Sequence, residues 1–381
     1  MRSEEDLVAT MRTAAERAGP RELASGVAWR RRARRTRRRV GAALAAAAVV
    51  IVAGGTATVL RGQERQVPPA VLSPVARVWP QAVVKVPVKD ADGRQTLPVN
   101  GMNATEVLLF AKGAKGKVDR LEVFDSATGR TRVLGDVPSR RPQRFELGTK
   151  YIAWFEEAGF WIMPRQGGEA RRLGPLTGEV EKIGLTDDSL VWSVVDGGVY
   201  RMPLAGGAAE RLPGTDGLHL MSWPWANAWA GDNMSRIVNL ETGRSSDVAL
   251  PENVEMMQCH AQWCTGLQAG SHLIVQRVDG AERRTLPDTL LRDGFWWLLG
   301  DRYALFRSRE GSPFVVYDLP TGTMTGVGEV TPTLLTSSPT STIFWDADAE
   351  YYQDCADRVC VTKSRGGGKE HTVVNLKAVT G

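Results

Sequence analysis

Histidine and cysteine are both scarce in this chain, four of each in 381 residues. So few cysteines exclude a scaffold in which disulfides replace a core. The histidines, His219, His260, His272 and His371, are scattered, and no metal-ligand spacing joins them. There is no GxSxG elbow, no HExxH pair and no Walker loop. The chain is therefore expected not to be an enzyme, with no catalytic, cofactor-binding or metal-binding residue to name. "SRGGGKEHT" (364–372) has the glycines of a phosphate loop, but no Ser or Thr follows Lys369, and it reads as a hairpin turn. "DADG" (90–93) and "DADAE" (346–350) offer oxygens that suit Ca²⁺, but turns use the same residues.

Lysine is absent from residues 1–60, and no charged residue occurs between positions 40 and 60. The net charge of +5 hides an asymmetry. Residues 1–60 hold 12 arginines and 5 acids, whereas the rest holds 36 bases and 38 acids. All the excess positive charge is thus N-terminal, and the large body is slightly acidic. A polyanion-binding body, and with it a nucleic-acid partner, is excluded on this reading.

The positive charge is concentrated in Arg30, Arg31, Arg32, Arg34, Arg35, Arg37, Arg38 and Arg39. Directly after it, residues 40–60 form a 21-residue Ala/Val-rich run. As a helix that run reaches roughly 30 Å, the thickness of a hydrocarbon core. Arginines before it and only Arg61 and Arg65 shortly after it place the N-terminus in the cytoplasm. The expectation is a single-pass type II protein of the cell membrane. Residues 1–39 form a cytoplasmic tail, 40–60 the span, 61–78 a linker and 79–381 an extracytoplasmic domain. The arginines orient the helix and meet anionic lipid heads. A cleaved signal peptide is the alternative, disfavoured by the 39 residues that precede the apolar run. Residues 3–18 carry apolar positions at helical spacing, ended by Gly19-Pro20. They read either as a helix on the membrane surface or as a docking helix for a cytoplasmic protein.

The body is a repeat. "MPRQGGEARRL" (163–173) and "MPLAGGAAERL" (202–212) agree at seven of eleven positions. Weaker copies start at Phe124, Val238, Val275 and Val316. Each joins an apolar strand, a turn ending in glycine, and a second strand. The turn glycines are Gly129, Gly168, Gly207, Gly243, Gly280, Gly322 and Gly367, spaced 39, 39, 36, 37, 42 and 45 residues apart. A period near 40 with short strands is the signature of an all-β propeller, one blade per repeat. Seven blades are favoured, with six as the alternative. Aromatic strands such as "YIAWF", "LVWSV" and "TIFWD" lie upstream of the turns and use most of the 12 tryptophans, which suits packing between blades. The ring needs closing, and either 82–88 or 95–99 could add a strand to the blade ending in "HTVVNLKAV" (371–379).

"LTDDSLVWSVVDGGVYRMPLAGGAAERLP" (185–213) resembles the repeat of TolB-type, WD40-like propellers. The basic tail, single span and outer propeller together resemble actinobacterial single-pass membrane proteins. No α/β domain of the TolB kind precedes the repeats, so no partner set carries over. The resemblance implies a fold and a compartment and supplies no catalytic residue.

The cysteines form two pairs with identical spacing, Cys259/Cys264 and Cys355/Cys360. Of the three connectivities, the local one is expected, each pair bridging a tight hairpin. Zinc is the rival, but His260 would point away from Cys259 in a strand. The function expected is a binding, sensing or protein-interaction module. One alternative is an anti-sigma-factor-like regulator acting through residues 3–18. Another is a propeller enzyme whose site is dispersed around the channel.

Overall fold

A computed structural model describes residues 72–380 except 114–116, 139–141, 158, 270–271, 288–289, 291–295, 308–313, 328–340, 346–348 and 357–358. For residues 296, 307, 349–356 and 359–366 it describes the backbone alone. The expected tail, the eight arginines, the expected span and the linker up to residue 71 lie outside the described residues. Among the described residues, no helix is long and apolar enough to cross a membrane.

The short apolar runs separated by Gly-rich turns form antiparallel sheets in chain order. Six sheets have four strands each, with first and last strands Gln95–Gly101 and Arg130–Asp136, Gln143–Leu147 and Arg171–Gly174, Val180–Leu185 and Glu210–Arg211, His219–Ser222 and Ser245–Asp247, Val254–Cys259 and Arg284–Thr285, and Trp296–Leu299 and Met324–Gly326. These are blades 1 to 6. The seventh sheet combines Thr342–Trp345, Glu370–Asn375 and β1 (Val83–Pro87). Its strands follow the blade pattern: "STIFW" (341–345) matches "DSLVW" (188–192), and "VVNL" (373–376) matches "IVNL" (237–240). Thr342–Trp345 and Glu370–Asn375 are thus second and third strands and β1 is the fourth; residues 328–340, which precede them in the chain, lie outside the described residues.

The protein is therefore a seven-bladed β-propeller closed by its N-terminal strand. Val83 pairs with Val374, and the register runs on to Pro87 opposite Glu370. The Lys85 Nζ donates to Thr372 Oγ1 at 2.6 Å across that pair. Just upstream, α1 (Val75–Val78) and a 3-10 turn (Pro80–Ala82) bury Val75, Trp79 and Ala82 between blades 6 and 7. The last residues assigned to the linker therefore belong to the folded body.

Each blade is covered on both faces by its neighbours, so second strands such as Tyr151–Glu156 and Ser189–Val194 are buried in a run rather than alternately. All six residues of Ser189–Val194 are buried, while the outer strand Ser245–Asp247 is exposed. The described core falls into seven clusters, one at each blade-to-blade boundary. Trp192 of blade 3 packs its ring 4.7 Å from Phe160 of blade 2 and 5.7 Å from Tyr200. Tryptophan packing between blades is thus seen for Trp154 and Trp192, both fully buried.

The glycine count gave the right number of blades with one substitution. All seven turn glycines have positive φ. Six of them join third to fourth strands. Gly367 instead follows an inserted hairpin, Ala349–Ala356 with Val359–Gly366, set between the second and third strands of blade 7.

Candidate functional site

Strands alternate in direction, so the turns from first to second and from third to fourth strand share one face of the ring. The first strands of neighbouring blades meet one another around the axis, as Val180–Leu185 meets both Gln143–Leu147 and His219–Ser222. In blades 1 to 5 the first strand carries a bulge against the second. A bulge frees a residue from the ladder and re-aims its side chain. Two bulge residues, Arg144 (φ 47°) and Met256 (φ 57°), hold left-handed backbone. That conformation costs a residue with a Cβ roughly 1–2 kcal/mol.

The bulged strands surround a cavity of about 290 Å³. Arg144, Lys182, His219, Gln258, His260 and Trp297 are among its walls, drawn from blades 2 to 6. Glu181, also in the wall, ties His219 to the neighbouring strand: the Glu181 Oε2 lies 2.8 Å from His219 Nδ1 and accepts from Ser193 Oγ at 3.2 Å. Glu146 shares its strand with Arg144 and lies within electrostatic reach of Lys182 and Lys377. Burial pushes the Glu146 carboxyl up, and the two lysines offset that only in part. Burial pushes the Lys182 ammonium down, against the attraction of Glu146, and Arg144 adds to the downward push. Lys377 is also lowered, by burial and then by Arg165. Among the described residues, Arg144, Glu146 and Lys182 make no hydrogen bond with their side chains. The cost of burying Glu146 and Lys182 is only partly met by their mutual attraction, and a further polar group could complete it. This channel end can therefore hold a polar molecule that presents both an acceptor and a donor.

Sequence reasoning named His219 and His260 only as scattered histidines and did not name Arg144, Glu146, Glu181 or Lys182. The signal of the others was present: "QRFEL" (143–147) and "VEKIGL" (180–185) place charges in strands that precede the largely buried "YIAWFE" and "SLVWSV".

Cys259 and Cys264 form a disulfide across the first turn of blade 5, with Cα atoms 3.9 Å apart. Cys355 stands opposite Cys360 in the register of the inserted hairpin. The side chains of that second pair lie outside the described residues. Of the Ca²⁺ candidates, Asp90 and Asp92 are taken by Arg120, at 2.5 and 2.8 Å. Residues 346–348 of the other lie outside the described residues. Among the described residues, no group of three or more His, Cys, Asp or Glu could hold a metal ion. His371 is buried, with its Nε2 2.9 Å from the Thr96 carbonyl.

No family model and no curated protein matches the chain. Solved propellers do. An oligogalacturonate lyase from Vibrio parahaemolyticus is 9% identical with a TM-score of 0.45, covering 77% of this chain and 96% of its own. YCF48 bound to D1 peptide is 12% identical with a TM-score of 0.42, covering 76% and 99%. TolB from Acinetobacter baumannii is 11% identical with a TM-score of 0.40, covering 60% and 66%. At these identities the likeness concerns the fold alone. One expectation is corrected: the chain was expected not to be an enzyme, and the propellers it matches include oligogalacturonate lyases. The missing local motifs fail as an argument because a propeller assembles side chains from separate repeats, one per blade.

Proposed function

We propose that the chain is a membrane-anchored, extracytoplasmic propeller that acts as a binding and sensing module. The anchor is residues 40–60, oriented by Arg30 to Arg39, with residues 1–39 in the cytoplasm. The binding end is the channel. The observation that supports this most is the trio Arg144, Glu146 and Lys182, placed by the bulged first strands of blades 2 and 3 at the channel end without side-chain hydrogen bonds among the described residues.

The test is purification of the full chain from cross-linked membranes, beside Arg144→Ser/Lys182→Ser and beside a copy lacking residues 2–28. Alkaline carbonate washing and protease protection of the same membranes check anchor and orientation. A partner or ligand lost from the channel variant but kept by the truncated copy supports the reading. A partner list unchanged in the channel variant, or release of the protein by carbonate, overturns it.

A further inference from the structure

Three consecutive blades place a serine, a histidine and an aspartate in line on the face that holds the first-to-second turns. Ser222 ends the first strand of blade 4, His260 opens the turn of blade 5, and Asp301 lies in the turn of blade 6. They are spaced 38 and 41 residues apart, one blade each. The Ser222 Oγ lies 3.2 Å from His260 Nε2. The His260 Nδ1 lies 3.0 Å from Asp301 Oδ1. That carboxylate also accepts from the Gln262 N–H at 3.1 Å, which fixes its position. With Nδ1 donating to the carboxylate, Nε2 is left to accept the serine proton.

We infer that Ser222, His260 and Asp301 form a nucleophilic triad that cleaves carboxylic esters at the mouth of the channel.

Bracing the ring would not require this arrangement. Between blades 2 and 3 the corresponding turns are tied directly, Thr149 Oγ1 to Asp187 Oδ1 at 2.7 Å. Between blades 4 and 6 an imidazole stands in the middle, and it alone of the three lines the cavity. Ser222 beside it is half-buried. Met221, Met234 and Leu298 give the same cavity an apolar wall suited to a short acyl chain. Asp301 stays ionised: burial works to raise it, but the hydrogen bond and charge of His260 and the Gln262 N–H hold it below the usual carboxylate range. The backbone N–H of Trp223 follows the serine in the chain, makes no hydrogen bond among the described residues, and is available to an oxyanion, while its indole N–H donates to Glu241.

The step balances without a cofactor. The Ser222 Oγ bonds to the ester carbonyl carbon while its proton passes to His260 Nε2. The C–O bond to the alcohol breaks, and Nε2 returns the proton to the leaving oxygen. Water then attacks the acyl-serine, gives a proton to Nε2, and releases the carboxylic acid as the serine hydroxyl is restored.

The full chain in detergent is treated with a biotinylated fluorophosphonate and, separately, with p-nitrophenyl butyrate. One phosphonyl group on Ser222, absent from Ser222→Ala, is expected. Ester turnover should fall at least a hundredfold in Ser222→Ala and His260→Gln. Asp301 is a positioning residue, so Asp301→Asn should shift the pH–rate profile as well as lower it, and Asp301→Glu should restore part of the rate. No phosphonyl on Ser222 of the intact protein, or turnover unchanged in Ser222→Ala, overturns the triad. Circular dichroism of Ser222→Ala, which loses one hydroxyl, separates loss of chemistry from loss of fold. Ser222→Ala leaves every residue named in the cavity wall untouched, so partner capture in that variant stands or falls independently of ester turnover.

Discussion

Arg120 is the single residue whose loss should cost this propeller most per atom removed. It sits on the third strand of blade 1 and holds three carboxylates: Asp90 at 2.5 Å, Glu122 at 2.6 Å and Asp92 at 2.8 Å. The side chains of Asp90 and Glu122 are only 2% and 1% exposed. Asp90 lies in the loop that leads from the closing strand into blade 1, so the cluster pins the ring closure. Arg120→Ala strands two buried carboxylates. Breaking a buried pair by removing one partner costs about 3–5 kcal/mol, against about 0–1 kcal/mol for a surface pair. For a body of about 310 residues, an unfolding entropy of about 2.1 cal/mol/K per residue converts this to a Tm lower by about 5–8 °C. The pH dependence has a definite sign. Burial already holds the Glu122 carboxyl above its ordinary value, with Arg120 opposing. Without Arg120 it rises further, so the folded state binds a proton that the unfolded state releases. Stability then falls as pH rises from the unfolded pKa, and lowering the pH from 7 to 5 should recover part of the loss. Differential scanning calorimetry at both pH values makes the measurement. Arg120→Ala/Glu122→Gln should regain at least half the deficit. A single variant within about 1 °C of the parent, or one whose deficit grows on acidification, would refute the claim that these are buried, dependent charges.

Three further outcomes are expected. Trp192→Ala removes a fully buried ring between blades 2 and 3, and should cost about 3–5 kcal/mol in denaturant unfolding. Deleting residues 1–88 removes β1, and should leave a chain that aggregates or elutes as oligomers in gel filtration, because the edge of Glu370–Asn375 that β1 covers opens. Non-reducing peptide mapping should recover Cys259–Cys264 and Cys355–Cys360 as the two linked pairs, and Cys259→Ser/Cys264→Ser should lose only about 2 kcal/mol because the loop is short.

The ring was legible in the sequence, and the channel was not, for a physical reason. A blade is a local object. Its turn glycines need positive φ, its middle strands need apolar residues on both faces, and both demands recur every 36 to 45 residues. Such constraints print themselves as a period. The closing strand was legible too, since a ring with an unpaired seam must find an edge, and 82–88 was one of two runs that could supply it. The seventh glycine shows the limit of the method. Gly367 kept the spacing near enough to be counted, although it belongs to an inserted hairpin. The hairpin and the last repeat lengthened the interval together, and a count cannot separate them.

Side chains that converge on the axis keep the blade period but share no chemistry. Arg144, Lys182, His219, Gln258 and Trp297 stand 38, 37, 39 and 39 residues apart, yet each is a different residue type, so no repeated motif marks them. Ser222, His260 and Asp301 illustrate the same point. They sit at nearly equivalent turn positions, and their spacing is simply the blade period, so the repeat conceals them. Any residue pair one period apart is a neighbour across a blade boundary once the fold is known. A reading that looks for short chemical motifs discards those pairs as too distant. In a propeller the useful motif length is about 40 residues, and a search for chemistry should compare equivalent turn positions of successive blades, which is where this chain changes from Thr149–Asp187 to Ser222–His260–Asp301.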